Sequence, residues 1–195
     1  MTLAPWRSPL AHALHRNRSL VYARYLQLAT LGSEQRPANR TIVFRGFLEE
    51  TNTLKFVTDQ RSEKVNQIAV NSWGEACWYF PKTREQFRLG GELKVVGENH
   101  PDATLTKARR LIWQDLSDKG RLQFYWPDPG QPQAETAAFD PPENLAETPL
   151  TNFCLLLLEP ERVDHLELRG DPQSRSLYQW DRDRAHNWSV LEVNP

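Results

Sequence analysis

Segments of strand length follow one another along the first half of the chain, and this order constrains the fold more than any other feature. They are rich in β-branched and aromatic residues, as strands are. They lie at Tyr25–Thr30, Arg40–Phe47, Leu54–Thr58, Glu75–Phe80 and Gln86–Val96. Parallel neighbours would need a helical crossover between each pair, and most of these segments are joined by short turns. The order therefore predicts an antiparallel barrel or sandwich with helices at its periphery.

Two local signals refine this prediction. The turn at 49–52 predicts that the second and third strands pair as a hairpin. The glycine pair Gly90-Gly91 interrupts the fifth strand and predicts a bulge or a sharp bend. Three further strand-like segments follow later in the chain, at Phe153–Leu158, Val163–Leu168 and Trp188–Val193.

Helices are few and short. Ser8-Pro9 is typical of a helix start, with the hydroxyl as N-cap and the proline at the first helical position. Ser62 is placed to cap a helix over 63–70, and Pro101-Asp102 to begin one that reaches Leu116. We assign the chain to the mainly β class with peripheral helices (α+β) and expect a single domain over residues 1–195.

Composition excludes several classes of protein. The chain has 24 Lys+Arg against 25 Asp+Glu and is 39% hydrophobic, which is ordinary for a globular domain and argues against disorder or general nucleic-acid binding. Two cysteines cannot form a disulfide framework. Since no stretch is apolar enough to span a membrane and the first residues lack a secretory h-region, we expect a cytoplasmic protein.

The neutral total hides an uneven distribution of charge. Residues 36–88 hold nine basic and six acidic side chains, whereas residues 127–172 hold two basic and ten acidic ones. Six prolines between residues 127 and 149, with little periodicity, predict a long acidic excursion from the domain. A loop of that length in a compact domain is usually functional or mobile.

A group of polar side chains lies where the third strand gives way to the second helix. It consists of Thr58, Arg61, Ser62 and Lys64. A helix N-terminus offers free backbone N–H groups and a partial positive charge, and added hydroxyls and cations make a cradle for a phosphate. An ordinary capped helix with a solvated basic face has the same pattern, so the residues alone leave both readings open.

Other candidate residues carry weaker signals. Arg84, Gln86 and Arg88 alternate on one strand and therefore share a face, which is either a solvated surface or the polar edge of a ligand site. The five histidines are scattered, and His12 and His15 have no acidic or cysteine partner at ligand spacing, so we expect no metal site. The chain has no Rossmann or P-loop glycine motif.

The order of these pieces resembles the pyridoxamine 5′-phosphate oxidase family, and in particular its oxidase-related FMN-binding members from cyanobacteria and plants. The matching stretches lie mainly within residues 38–97, and weaker ones follow from residue 153 to the C-terminus. They are Arg40 to Arg45 (RTIVFR), Phe56 to Thr58, Ser62-x-Lys64, Trp78 to Phe80, Arg84 to Arg88 (REQFR) and Gly91.

The resemblance implies an FMN-binding split β-barrel that forms a homodimer, with FMN at the subunit interface. Its FMN phosphate and ribityl positions match Arg40, Thr58, Ser62 and Lys64. Arg45 matches a strand-end lysine near the flavin and the substrate, and Gln86 matches a glutamine that hydrogen-bonds the isoalloxazine ring. We expect Gln86 to come from the same chain as Arg40, whereas Arg175 matches a late arginine that reaches FMN from the partner subunit.

The chain also departs from the family pattern. Glu63 replaces an arginine beside the phosphate, so we expect Arg61 to supply the guanidinium, and Leu166 replaces a tryptophan. Asp171-Pro172-Gln173 replaces the Arg-x-His pair with which the true oxidases recognise their substrate. The central segment differs too, and its arginines either bind an anion or lie on a helix surface. They are Arg109, Arg110 and Arg121.

Three functional hypotheses remain open. The first is an FMN-dependent oxidoreductase, active on an unidentified small molecule at flavin N5, with no catalytic residue assigned. The second is a true pyridoxamine 5′-phosphate oxidase with a rearranged substrate pocket. The third is a non-catalytic module that holds flavin, haem or a phosphorylated ligand on the same barrel.

Overall fold

The computed structural model describes residues 3–32, 34–181 and 187–195. Its helices are α1 (Arg7–Asn17), α2 (Glu63–Val70), α3 (Ala103–Gln114) and α4 (Asp118–Leu122), with a single 3₁₀ turn in the described residues at Thr136–Phe139. Its strands are β1 (Tyr25–Leu31), β2 (Pro37–Val43), β3 (Leu54–Asp59), β4 (Trp73–Phe80), β5 (Glu85–Val96), β6 (Phe153–Glu167), β7 (Ser174–Asp181) and β8 (Asn187–Val193). No helix among the described residues has the length and apolar character needed to cross a bilayer.

All strands belong to one antiparallel sheet, in the order β2-β1-β4-β5-β6-β7-β8, and β3 pairs with β6 outside this path. The long strand β6 makes this branching possible. Its first half pairs with β3 and its second half with β7, while β5 runs along both halves. The predicted class, a mainly β protein with peripheral helices, is confirmed.

The sheet curls until β3 meets the end of β2. Phe47 and Leu54 form an isolated bridge, and the Arg45 amide donates to the Lys55 carbonyl at 2.8 Å. The Lys55 amide donates back to the Gly46 carbonyl at 2.8 Å. These bonds join β2 to β3 only beyond the regular part of β2, so the two strands diverge on the side where β3 ends.

Several sequence predictions were wrong in their pairing or extent. The second and third strands do not form a hairpin, because β2 pairs along its whole length with β1. Phe153–Leu158 and all but the last residue of Val163–Leu168 belong to a single strand that continues through Pro160. Helix α1 begins at Arg7 with Trp6 as its N-cap, not at Ser8. Helix α4 and strand β7 were not predicted, the latter because its largely polar residues lack a strict apolar alternation.

Two apolar clusters stabilise the fold. One fills the curled sheet around Trp78, Phe80 and Phe87, and helix α1 covers it through Leu10. The other lies between α3 and the first half of β6, with Trp113 and Phe153 at its centre. Burial of this apolar area is the main favourable term in folding.

The bulge predicted at Gly90-Gly91 is present, and it brings β5 unusually close to β6. The register between these strands shifts between Gly90 and Gly91. A Cβ atom at Gly91 would collide with the backbone carbonyl of Glu159, whereas one at Gly90 would meet only side-chain atoms at 3.5 Å or more. Of these two glycines, only Gly91 is therefore required by the close approach of the two backbones.

We expect Gly91→Ala to lower the free energy of unfolding by about 2–3 kcal/mol, because the added methyl group forces two backbones apart. Urea unfolding followed by tryptophan fluorescence measures this loss. The neighbouring Gly90→Ala variant is the matched control and should cost no more than about 1 kcal/mol. Equal losses in the two variants would contradict this account of the bulge.

Candidate functional site

A cavity of about 550 Å³ opens where β2 and β3 diverge, and it collects most of the predicted site residues. Six of the eight line it: Arg40, Arg45, Thr58, Arg61, Ser62 and Lys64. They come from β2, from the end of β3 and from the start of α2. The opposite wall is formed by residues between 116 and 139.

Two hydroxyls and an ammonium group form a compact cluster at one corner of the cavity. Lys64 Nζ donates to Thr58 Oγ1 at 3.1 Å and to Ser62 Oγ at 3.0 Å, and the two hydroxyl oxygens lie 3.2 Å apart. Burial lowers the pKa of the Lys64 ammonium, and the nearby Arg40 guanidinium lowers it further. A partly buried cation beside other positive charge favours an anion as its ligand. We call Thr58, Ser62 and Lys64 the phosphate corner.

The N-terminus of α2 faces this corner without a side-chain cap. Ser62 occupies the N-cap position, but its hydroxyl donates to the Asp59 carbonyl at 2.7 Å instead of capping the helix. Glu63, the departure that would oppose a phosphate, does not line the cavity and accepts a hydrogen bond from Gln67 Nε2 at 2.8 Å. The Glu63 carboxylate is therefore directed along the helix, although its charge still acts on the nearby Lys64 and Arg40 cations.

Arg40 acts as a brace as well as a cavity cation. Its Nη1 donates to the carbonyls of Leu28 and Ala38 at 3.1 and 2.9 Å and to Thr30 Oγ1 at 2.6 Å. Its Nη2 donates to Gln67 Oε1 at 2.9 Å. One guanidinium thus holds β1, β2 and α2 in a fixed relation, which positions the phosphate corner.

Arg61 is bound on two sides by carboxylates. It forms a fork with Asp59, with Nε and Nη2 at 2.9 and 2.7 Å from the two carboxylate oxygens, and its Nη1 lies 2.9 Å from Asp128 Oδ1. Burial acts to raise the pKa of Asp59, but hydrogen bonds from Arg61 and Asn152 outweigh it and hold the pKa below its usual value. The Asp59 carboxylate thus stays ionised and compensates Arg61.

The acidic, proline-rich excursion forms the far wall of the cavity, a role that sequence analysis did not assign to it. Trp126 and Phe139 pack edge to face with ring centroids 6.0 Å apart. The amides of Gln123, Gln131 and Gln133 also line the space. The aromatic residues among the prolines were the available signal, because a solvated linker rarely carries them.

Gln86 and Arg175 do not line the cavity of their own chain. Gln86 lies opposite Leu166, and Leu166 lies opposite Arg175, so all three share one row on the outer face of the sheet. Arg175 forms a fork with Asp164, with distances of 3.0 and 2.7 Å. Arg88 lies on the same face and pairs with Glu75 at 2.8 Å. The two predicted residues, Gln86 and Arg175, therefore lie close to each other but outside the cavity that holds the phosphate corner.

Other candidate residues have structural roles. Arg109 is buried and donates to the carbonyls of Phe153 and Leu150, so it is neither an anion ligand nor a surface residue. Arg121 Nη2 donates to the Gln114 carbonyl at 3.0 Å. Burial raises the pKa of the Cys154 thiol to about 11. No group of three or more potential metal ligands occurs within the described ranges.

Comparisons with known proteins find relatives in both sequence and fold. Residues 3–97, which contain all the predicted site residues except Arg175, match the family described as pyridoxamine 5′-phosphate oxidase, FMN-binding domain. The chain is 40% identical to pyridoxine/pyridoxamine 5′-phosphate oxidase 2 of Arabidopsis thaliana, over 99% of this chain and 98% of that protein. It is 33% identical to pyridoxine/pyridoxamine 5′-phosphate oxidase of Acinetobacter baylyi, over only 45% of this chain and 38% of that protein.

Solved structures support the fold. A pyridoxamine 5′-phosphate oxidase-related, FMN-binding protein from Nostoc punctiforme is 57% identical, with a TM-score of 0.92 and full coverage of both chains. PhzG from Burkholderia lata is 18% identical, with a TM-score of 0.78 over 97% of this chain and 90% of that chain. The curled sheet described above is thus the split β-barrel that the sequence resemblance implies.

The Arg40 brace gives a testable expectation for stability. Arg40→Gln removes a guanidinium that satisfies four acceptors, and we expect it to cost about 2–3 kcal/mol of unfolding free energy. Arg36→Gln, which removes an exposed ion pair with Glu34, is the control and should cost less than about 1 kcal/mol. Urea titrations of both variants make the comparison, and a stable Arg40→Gln protein would refute the brace.

Proposed function

Since this chain belongs to the pyridoxamine 5′-phosphate oxidase-like family of FMN-binding proteins, we propose that it is an FMN-dependent oxidoreductase acting on a small molecule. The phosphate corner is the observation that carries the proposal. A phosphate dianion needs charge-assisted donors, and the corner offers the Lys64 ammonium, two hydroxyls and an uncapped helix N-terminus. The carboxylate of Asp59, close to this corner, is already compensated by Arg61.

FMN supplies a ring that accepts two electrons at N5, so the protein has only to bind, orient and tune it. In our proposal Lys64, Ser62 and Thr58 hold the phosphate, and Arg40 adds positive charge behind them. Arg45 is exposed in the cavity, and its guanidinium makes no hydrogen bond or ion pair with any part of the chain that the structure describes. It is therefore available to stabilise negative charge on the flavin or the substrate.

We propose further that the protein is a homodimer whose site is completed by the partner. Gln86 and Arg175 lie on the outer sheet face, which also exposes apolar side chains. These include Tyr25, Tyr79 and Leu191, at 45%, 47% and 62% exposure. On this face the exposed apolar side chains stand beside ion pairs, and such a mixture of apolar and charged surface is found in protein interfaces. A second copy seated there would bring Gln86 and Arg175 to a flavin on the other chain.

Two observations bear on the substrate, and they point in opposite directions. Asp171-Pro172-Gln173 offers neither the guanidinium nor the imidazole that recognises pyridoxamine 5′-phosphate in the family, which favours another small molecule. The full-length match to a plant oxidase of that name favours pyridoxine or pyridoxamine 5′-phosphate. We take the first as the leading hypothesis and the second as its alternative. A non-catalytic flavin-binding role remains the third.

FMN binding at the phosphate corner is tested by titration. The purified protein should show a flavin absorption spectrum or quench added FMN, and Lys64→Ala should weaken FMN roughly 10- to 100-fold, because a charge-assisted hydrogen bond to a buried group is lost. Lys107→Ala, on the exposed face of α3, is the matched control and should bind FMN normally. A colourless protein that does not quench FMN would overturn the proposal.

Assays of the same FMN-loaded protein distinguish the three functional hypotheses. Turnover of pyridoxamine 5′-phosphate with release of hydrogen peroxide would establish the alternative. Reduction of the bound flavin by another donor, without that turnover, would support the leading hypothesis. A flavin that neither NAD(P)H nor any tested small molecule reduces would favour the binding role.

The dimer has its own test. Tyr79→Glu places a charge on the outer sheet face beside Gln86, so we expect it to shift the protein from dimer to monomer and to weaken FMN at least tenfold. Light scattering coupled to gel filtration measures the mass. Tyr22→Glu is the control, because Tyr22 is 55% exposed but lies in a turn outside the sheet. A dimeric Tyr79→Glu protein would place the interface elsewhere.

A further inference from the structure

Arg61 joins two parts of the site that the sequence places far apart. Its Nη1 donates to the Trp126 carbonyl at 3.0 Å and to Asp128 Oδ1 at 2.9 Å, across more than sixty residues of chain. Its Nε and Nη2 are held by the Asp59 carboxylate. We call residues 124–139, which line the cavity opposite the phosphate corner, the proline-rich wall.

The hydrogen-bonding capacity of Arg61 is already used. A guanidinium has five N–H donors. Two point to Asp59 and two to Trp126 and Asp128, while Nη2 also lies 3.5 Å from the Phe124 carbonyl. A phosphate ligand would have to displace these partners. Arg61 is therefore poorly suited to the phosphate-binding role that its position in the sequence indicates, although it lines the cavity.

Asp59 connects this arginine to the phosphate corner. Its carbonyl accepts the Ser62 hydroxyl at 2.7 Å and the Ser62 amide at 3.1 Å, while its carboxylate accepts Arg61 and Asn152. Asn152 Nδ2 also donates to the Phe124 carbonyl at 2.8 Å. The start of the proline-rich wall and the phosphate-binding hydroxyl are thus fixed to one residue at the end of β3.

The proline-rich wall differs in chemistry from the surface it faces. The cations of the cavity, Arg40, Arg45, Arg61 and Lys64, come from the β2–α2 side, and the lining residues of the wall include no lysine or arginine. The wall offers aromatic rings, prolines and glutamine amides instead. Such a surface contributes to a ligand by contact and by excluding water, not by binding its phosphate.

We infer that Arg61 is a positioning residue that latches the proline-rich wall over the flavin site. The inference rests on the proposed function, because it assigns the wall to the cavity that would hold FMN. Arg61 acts on bound flavin through the wall, whereas Lys64 acts on the phosphate directly. The two roles predict different effects on the binding of a flavin that has no phosphate.

The test compares FMN with riboflavin, which lacks the phosphate, by fluorescence titration of the purified full-length protein. Lys64→Ala should weaken FMN and leave riboflavin nearly unchanged. Arg61→Ala should weaken both by a similar factor, about three- to tenfold, so that the ratio of the two dissociation constants stays at its wild-type value. Arg61→Lys, which keeps the charge but loses the fork, should fall between wild type and Arg61→Ala. Selective loss of FMN in Arg61→Ala would overturn the inference and make Arg61 a phosphate ligand.

A second readout uses the flavin-free protein and needs no ligand. Chymotrypsin cleavage after Phe139, followed by mass spectrometry, reports how often the wall opens. We expect Arg61→Ala to speed this cleavage about tenfold, and Asp128→Asn, which removes the charge of one exposed ion pair, about two- to fivefold. Glu135→Gln makes the same charge change within the wall without touching Arg61, and it should cleave at the wild-type rate.

The two readouts separate the latch from the proposed function. If the wild-type protein binds neither flavin, the proposed function fails and cleavage alone decides whether Arg61 holds the wall. If cleavage is unchanged in both Arg61→Ala and Asp128→Asn, there is no latch, whatever the flavin affinities are. Should Arg61→Ala not fold, Asp128→Asn and Arg61→Lys carry both measurements, since Asp128 is largely exposed.

Discussion

The end of strand β3 is the point on which the site depends. At Asp59 the chain leaves its ladder with β6 and turns directly into α2. The carbonyl of this residue holds Ser62, and its carboxylate holds Arg61 and Asn152. The pKa of the Asp59 carboxyl lies below its usual value, so the carboxylate is charged at neutral pH. Its contacts with Arg61 and Asn152 therefore persist in the folded protein at neutral pH. The phosphate corner and the proline-rich wall both start from this one turn.

The uneven distribution of charge has a structural explanation. The basic segment 36–88 supplies the cations of the cavity, and the acidic segment 127–172 supplies some of their partners. Asp128 pairs with Arg61 in the cavity, and Asp164 lies between Arg88 and Arg175 on the outer sheet face. Opposite charges that are distant in sequence meet across the tertiary structure. The near-neutral total thus includes basic and acidic segments that pair in part.

The sequence predicted helices and bulges well where the signal lay within a few neighbouring residues. Helix α2 has the predicted bounds, and the bulge lies at the predicted glycine pair. Pairing was less predictable, because a strand's partner depends on contacts far along the chain. The turn after β2 indicated a hairpin, yet β2 gains a full ladder with β1 and leaves β3 to β6. The polar strand β7 carries no apolar alternation, so its place in the sheet follows only from its neighbours.

The sequence by itself determined the class of the fold and the family, and it predicted the local group that contains Thr58, Ser62 and Lys64, because these depend on short runs whose chemistry is local. Thr58, Ser62 and Lys64 lie within seven residues, and the turn from β3 into α2 brings their side chains together. Only the tertiary structure decided what Arg61 contacts and where the proline-rich wall lies. Those contacts join residues more than sixty positions apart, so they depend on how the chain between them folds and not on any short segment.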